Sequence, residues 1–441
     1  MTILNESGIP DVLSPLHAVS GLAERLPGAL VVVVGTLAEA HLVQSLPATP
    51  SPNLPVPPRN PRVVFAVLDP EDPPQQGVLA SRIVEAAASL RGTELVLLVA
   101  GRSAELLDVD AAFEARLVAR KLELPAEVVN PSAPHATPGT LSTDLEARTL
   151  AALVDLCPKR RTSDLLETGS PAKRGGLFGG LLGRGREEAG GTQERPVVLL
   201  GGVSRPGAAD EISSELLRVG VEVAGAVPGA GGLPTLGEGT VVAVLDPNLT
   251  AAAKAAEGRG ARVVRTLMPV GVNGTARFVQ DVAEEAGVQA NEVARARSAW
   301  EDLGALRSRI RGKRVFFAGD TGVEIPLARF LADAGAVVLE VGAPRLDRRF
   351  LAPELQALGP DVDVVVSPDW RGQMQRIEEA RPDVVVASPG LHVPLVAMGH
   401  LCRSPRDFLQ AGHYGYGGAR RILELFTRTF ERAEILDALN L

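Results

Sequence analysis

One pattern constrains this chain more than any other. Short runs of β-branched and aliphatic residues, with no polar position inside, each end in a glycine or polar turn and are followed by an amphipathic stretch. Ala29-Leu30-Val31-Val32-Val33-Val34-Gly35 is the first, Arg62-Val63-Val64-Phe65-Ala66-Val67 the second and Glu94-Leu95-Val96-Leu97-Leu98-Val99 the third. A strand that is apolar at every position has no face to give to water, so it belongs in a parallel sheet covered on both sides. The stretch from Leu79 to Leu90, apolar at three-to-four spacing, reads as a helix crossing between two such strands. This βαβ alternation predicts an α/β chain of doubly wound parallel sheets.

The pattern restarts twice. Pro196-Val197-Val198-Leu199-Leu200-Gly201-Gly202 opens a second series that continues through Val221 to Val227, Val241 to Leu245 and Arg262-Val263-Val264. After a polar helical stretch from about Glu292 to Arg311, a third begins at Arg314-Val315-Phe316-Phe317-Ala318-Gly319-Asp320. It runs on through Val337 to Val341, Val362 to Val366 and Asp383 to Ala387. With 441 residues, one core is not enough. The expected organisation is a first α/β domain over 1–158, a flexible Gly/Arg-rich linker over 159–195, a second α/β domain over 196–312, a third over 313–390, and a C-terminal tail and helix over 391–441. Three Rossmann-like units in one chain result.

Composition narrows the function classes. The balance of 45 Lys+Arg against 53 Asp+Glu gives a net charge of -8, and aromatics are only 3% of the chain, so a nucleic-acid binder is not expected. No basic segment leads into an apolar N-terminal core, and no run reaches the roughly 18 apolar residues of a membrane span, so a soluble cytoplasmic protein is expected. Two cysteines exclude a disulfide framework, and exclude an iron–sulfur cluster held wholly by cysteines of this chain.

Candidate chemistry sits at the strand ends. The turns Gly35-Thr36, Gly201-Gly202-Val203-Ser204-Arg205-Pro206-Gly207 and Gly319-Asp320 place backbone N–H groups where an anion could bind, but none carries the phosphate fingerprint and no Walker A sequence exists; packing geometry explains them as well. Asp320 and Glu324 follow a buried strand and could meet at the sheet edge where open α/β sheets bind ligands, although Glu324 also opens a helix and suits its N-terminal charge preference. The histidines His17, His41, His135, His392, His400 and His413 have no zinc-site spacing, and His41 reads as a helix-surface or interface residue. Cys157 and Cys402, in proline-flanked contexts, read as bystanders.

The third unit is specific enough to carry a resemblance. Gly319-Asp320-Thr321-Gly322-Val323-Glu324-Ile325-Pro326-Leu327-Ala328-Arg329-Phe330-Leu331, with Leu339 to Phe350, Arg381 to Val386 and Leu423 to Arg428, resembles the C-terminal domain of the N subunit of light-independent protochlorophyllide reductases. The likeness is strong over about Arg314 to Arg432 and weaker over Gly237 to Thr240, Pro269 to Thr275 and Val34-Gly35-Thr36. It implies a nitrogenase component 1-like fold of three domains. It also implies a heterotetramer with a B-type subunit, a 4Fe-4S cluster at the N–B interface, and a separate iron-protein-like ATPase subunit that delivers electrons for ATP-dependent reduction of a tetrapyrrole ring double bond.

At the positions matching the family's three N-subunit cysteines, this chain has other residues. The first reads Ser14 beside Pro15, the second Glu39, and the third Arg102 or Ser103. Serine stays protonated at neutral pH and arginine is a cation, whereas Glu39 could coordinate iron; one carboxylate does not hold a cluster. The chain itself is therefore expected to bind no cofactor. The tail, where the family carries a His-Gly-aromatic turn, reads His413-Tyr414-Gly415-Tyr416. The two tyrosines could face a tetrapyrrole or dock the tail on its own domain, and His17, His41, Asp320, Glu324 and His413 complete the candidate pocket set. The resulting expectation is an N-type subunit of a protochlorophyllide reductase-like complex in chlorophyll or bacteriochlorophyll-type biosynthesis, lacking its own cluster ligands. The alternative is a non-catalytic tetrapyrrole-binding or assembly scaffold from that family, and a homo-oligomer is the substitute where the missing cluster removes the heterotetramer's cross-subunit tie.

Overall fold

The computed structural model describes residues 1–6, 19, 23, 26, 28–45, 62–72, 74–129, 142–160, 195–202, 207–229, 232–319 and 321–438. Among them the chain forms an α/β fold with three separate multi-stranded parallel sheets, as the alternation predicts, and one two-stranded parallel ribbon.

The first unit comprises β2 (Ala29–Gly35), α1 (Leu37–Ser45), β3 (Val63–Val67), α2 (Val78–Ser89), β4 (Leu95–Ala100), α3 (Arg102–Leu106), α4 (Ala111–Leu122), β5 (Ala126–Val129) and α5 (Ser142–Leu156). A three-residue strand, β1 (Ile3–Asn5), precedes them in the chain. The sheet order is β3-β2-β4-β5. Side chains of β2 alternate between two cores: Val31 and Val33 enter one, Leu30, Val32 and Val34 the other. That is why every position of the strand is apolar.

The second unit runs from β6 (Lys159–Arg160) through β7 (Val197–Leu200), α6 (Ala208–Arg218), β8 (Val223–Val227), β9 (Leu236–Gly237), β10 (Val241–Val244), α7 (Thr250–Gly258), β11 (Arg262–Val263), α8 (Gly271–Ala286), α9 (Val293–Asp302) and α10 (Gly304–Ile310). Its four-stranded sheet has the order β11-β10-β7-β8. Lys159 and Arg160, expected to begin the linker, instead pair with Leu236 and Gly237 as a two-stranded ribbon. The rest of the expected linker, 161–194, lies outside the described residues.

The third unit contains β12 (Arg314–Ala318), α11 (Glu324–Ala334), β13 (Val337–Ala343), α12 (Ala352–Leu358), β14 (Asp363–Val366), α13 (Trp370–Ala380), β15 (Val384–Ala387), α14 (Pro389–Ala397), β16 (Cys402–Arg403), α15 (Pro405–Ala411) and α16 (Gly415–Ala438). Its six-stranded sheet has the order β1-β14-β13-β12-β15-β16. Two short pieces depart from the expected boundaries. Ile3–Asn5, expected in the first domain, is the edge strand here, in register with Val364–Val366. Cys402–Arg403, expected in the tail, closes the opposite edge beside Val385 and Val386. Glu6 fixes the first of these by accepting from the Asp369 amide at 2.6 Å and from Arg376 at 2.8 Å.

The units share one apolar core that runs from a face of the first sheet, through the second, to a face of the third. Between the second and third units a buried ion pair adds a polar junction. Arg329 Nε meets Glu354 Oε2 at 2.7 Å and Arg329 also donates to the Val270 carbonyl at 2.8 Å; the Met268 amide donates to Glu354 Oε1 at 2.6 Å. Both charged groups are withdrawn from water, so their mutual bonds are what makes burying them tolerable.

Candidate functional site

Each sheet has one point where the winding reverses, and there the strand ends leave a crevice. The reversal lies between β2 and β4, between β7 and β10, and between β12 and β15. The three glycine turns singled out in the sequence follow β2, β7 and β12, so all three stand at these points.

At the first, Thr36 and Glu39 form one local motif. The Thr36 amide donates to Glu39 Oε2 at 2.9 Å and its hydroxyl to the same oxygen at 3.3 Å, as in a helix capping box. From across the crevice Ser103 gives its hydroxyl to Glu39 Oε2 and its amide to Oε1 at 3.4 Å. Two of the positions matched to family cysteines are therefore in direct contact, although 64 residues apart. Arg102 begins α3 and is exposed, so Ser103 rather than Arg102 faces Glu39. Gly35 and Gly101 line the carboxylate; a Cβ on either would collide with it. Ser14 and His17 lie outside the described residues, and His41 is exposed on α1.

At the second reversal the Gly202 amide donates to Asp246 Oδ2 at 2.9 Å. The backbone donor that could have held an anion thus serves a carboxylate of the chain itself. The other oxygen of Asp246 accepts the Tyr414 hydroxyl. Tyr416 donates to Glu292 Oε2 at 2.9 Å, with the Arg295 guanidinium 4.7 Å over its ring. Burial and the neighbouring carboxylates push the Tyr416 hydroxyl far above its ordinary pKa. The two tyrosines dock the tail on the second unit, not on its own domain, and Tyr414 pairs with Val270 in an antiparallel bridge. His413 is buried with its ring 4.0 Å from that of Tyr414. Sequence reasoning missed Asp246 and Glu292. The signal for Asp246 was present, since Val244-Leu245-Asp246 is a carboxylate at a strand end, as Asp320 is.

At the third reversal Glu324 is fully buried. Its Oε1 accepts the Thr321 amide at 3.0 Å and the Thr321 hydroxyl at 2.8 Å, while Oε2 has no hydrogen-bond partner among the described residues. Burial raises its pKa, opposed by the bonds from Thr321. Asp320 lies outside the described residues, so its expected meeting with Glu324 is not placed.

The thiols stand elsewhere. Cys157 follows α5 with its Sγ 3.4 Å from the Leu153 carbonyl, and burial pushes it up to about 11. Cys402 is in β16, pushed up to about 12. Both stay protonated thiols near neutrality. Among the described residues no three His, Cys, Asp or Glu side chains converge as a metal site, and no helix is long and apolar enough to cross a membrane.

The family model described as nitrogenase component 1 type oxidoreductase matches residues 83–431. The light-independent protochlorophyllide reductase subunit N of Roseiflexus sp. (strain RS-1) is 32% identical over 441 residues, covering 99% of this chain and 96% of its own. The subunit of the same name from Heliobacterium modesticaldum (strain ATCC 51547 / Ice1) is 29% identical over 441 residues, covering 98% and 97%. The solved structure of nitrogenase Cp1 at pH 6.5 shares the fold at TM-score 0.66 and 15% identity, covering 98% of this chain and 93% of that one.

Proposed function

Since the chain belongs to the nitrogenase component 1 type oxidoreductases, among the light-independent protochlorophyllide reductase N subunits, we propose that it is the N-type subunit of such a complex and holds no cluster ligands of its own. The observation that carries the second half is the pairing of Glu39 with Ser103. Where the family's cysteines would offer thiolates, a carboxylate and a hydroxyl satisfy each other.

Those donors do not fit a thiolate-held cluster. Hard oxygen ligands suit other metals better, and a serine hydroxyl engaged in a hydrogen bond is not an anionic ligand. The two real thiols are protonated and sit at the end of α5 and in β16. No reaction step is therefore assigned to a cluster on this chain.

What its residues do supply is a surface and a fixed frame. Leu37, Val67 and Leu106, exposed by 59%, 44% and 77%, belong to the start of α1, the end of β3 and the end of α3, the elements that follow or flank the strand ends of the first sheet. Apolar side chains grouped at one edge suit a partner subunit; the reading assigns them the B-type subunit, with the iron-protein-like ATPase binding the assembled pair. In that arrangement tetrapyrrole reduction is carried by whatever redox centre the partner holds. The alternative, a non-catalytic assembly scaffold, draws on the same absence of thiolates; the tyrosines, already engaged by Asp246 and Glu292, lend no support to tetrapyrrole carriage.

Anaerobic co-purification with a B-type subunit, followed by iron counting and by turnover of protochlorophyllide with an ATP-driven reductant, tests both halves. Product with well under about four irons per pair supports the proposal. A full complement of four overturns the ligand loss, and no product from a stable pair favours the scaffold.

A further inference from the structure

We infer that Glu39 and Ser103 form a metal-free staple that holds the two turns of the first sheet's crevice, after β2 and after β4, in a fixed spacing. The inference rests on the reading above only for what a relative would place there; the bonds themselves lie within this chain.

Five residues make the fit. The Glu39 carboxylate takes donors from both sides: the Thr36 amide and hydroxyl from its own turn, the Ser103 hydroxyl and amide from the other. The Ser103 hydroxyl oxygen in turn accepts from the Thr36 amide at 3.0 Å, closing a triangle in which each corner meets the other two. Gly35 and Gly101 leave the volume that the carboxylate fills, and a side chain at either would push it out. A glutamate that merely began a helix would need the Thr36 bonds alone. Here the same group reaches a second turn 64 residues away and does so in a niche shaped for it. Charge-assisted hydrogen bonds are the stronger kind, so a carboxylate is a suitable centre for such a tie.

The full chain is tested without a partner, which separates this inference from the activity of any complex. Glu39→Gln, Ser103→Ala and the double variant are compared by thermal melting and by amide hydrogen exchange over residues 36–39 and 101–106. The expected result is exchange at the Thr36 and Ser103 amides faster by about tenfold in each single variant, with the double variant little worse than either one. Additive effects, or unchanged exchange in a folded Ser103→Ala protein, overturn the staple. Ser103→Ala deletes only a hydroxyl, so the test survives if Glu39→Gln does not fold. Ferrous iron added anaerobically to the wild-type chain is expected to leave its melting unchanged; a rise in melting temperature that Glu39→Gln abolishes would make Glu39 a metal ligand and overturn the metal-free claim.

Discussion

The first and third units carry the same local motif at the same topological place, and use it differently. Thr36 and Glu39 follow β2, Thr321 and Glu324 follow β12, and in both the threonine gives its amide and hydroxyl to the glutamate three residues on. In the first unit the carboxylate is partly exposed and spends its remaining capacity on Ser103 across the crevice. In the third it is sealed from water, and one of its oxygens has no hydrogen-bond partner among the described residues. One turn thus links two strands, whereas the other buries a carboxylate whose desolvation is only partly offset by bonds from its own turn. The difference teaches that a capping carboxylate does not by itself mark a site; what it meets on its far side decides.

The largest effect that sharpens this contrast is steric. In Gly319→Ala the new Cβ collides with the stem of Glu324 as well as its carboxylate, and a buried side chain has nowhere to retreat. We expect a loss of about 1–3 kcal/mol in urea unfolding. Gly35→Ala meets chiefly the Glu39 carboxylate oxygen, which can swing into water by giving up its bonds to Thr36 and Ser103, so its loss should be the smaller of the two, about 1 kcal/mol; equal losses would break the comparison. Next in size, Thr321→Val and Thr36→Val should each cost about 1 kcal/mol, with Thr321→Val the larger because the carboxylate it leaves short of a donor, Glu324, is the fully buried one.

The smallest effect is a matter of sign with pH. Burial raises the Glu324 pKa in the folded chain above its unfolded value. The native state then binds the proton more tightly, a contribution present in full below the ordinary carboxylate range and lost as pH rises through the raised value. Glu324→Gln does not titrate, so its melting temperature relative to wild type should climb with pH from 4 to 8, by on the order of 2 °C. Glu39→Gln should melt below wild type at neutral pH. If both variants move the same way, the two turns are alike after all.

Much of the fold was legible because buried strands write themselves plainly. β2, β4, β7, β10 and β15 are apolar throughout and fully buried, and each was placed from its run of Val, Leu and Ala. Half-buried β3 and β8 were still placed by their valines, but several shorter pieces were not legible. Ile3–Asn5, Lys159–Arg160 and Cys402–Arg403 are two or three residues long, too few to show a period, and their pairing is decided by a strand far along the chain. Ala126–Val129 carries Glu127 at the sheet's edge and looks like loop. At the site, resemblance pointed to Glu39 and Ser103 one at a time; their contact could not be read, since no local spacing connects β2 to β4. The tyrosines show the same limit. Docking was one of the two readings open for them, and on their own domain rather than the second unit, because Asp246 and Glu292 lie 168 and 124 residues away from them.

The edge strand β1 sets the order in which this chain can be completed. It precedes the first unit in the chain, yet its partner β14 follows about 360 residues later. Everything from the first unit to most of the third is therefore synthesised before Ile3–Asn5 can meet its partner, which makes this edge a pairing of long loop closure. Three residues ahead of the first unit thus complete the edge of a sheet otherwise built wholly from the third.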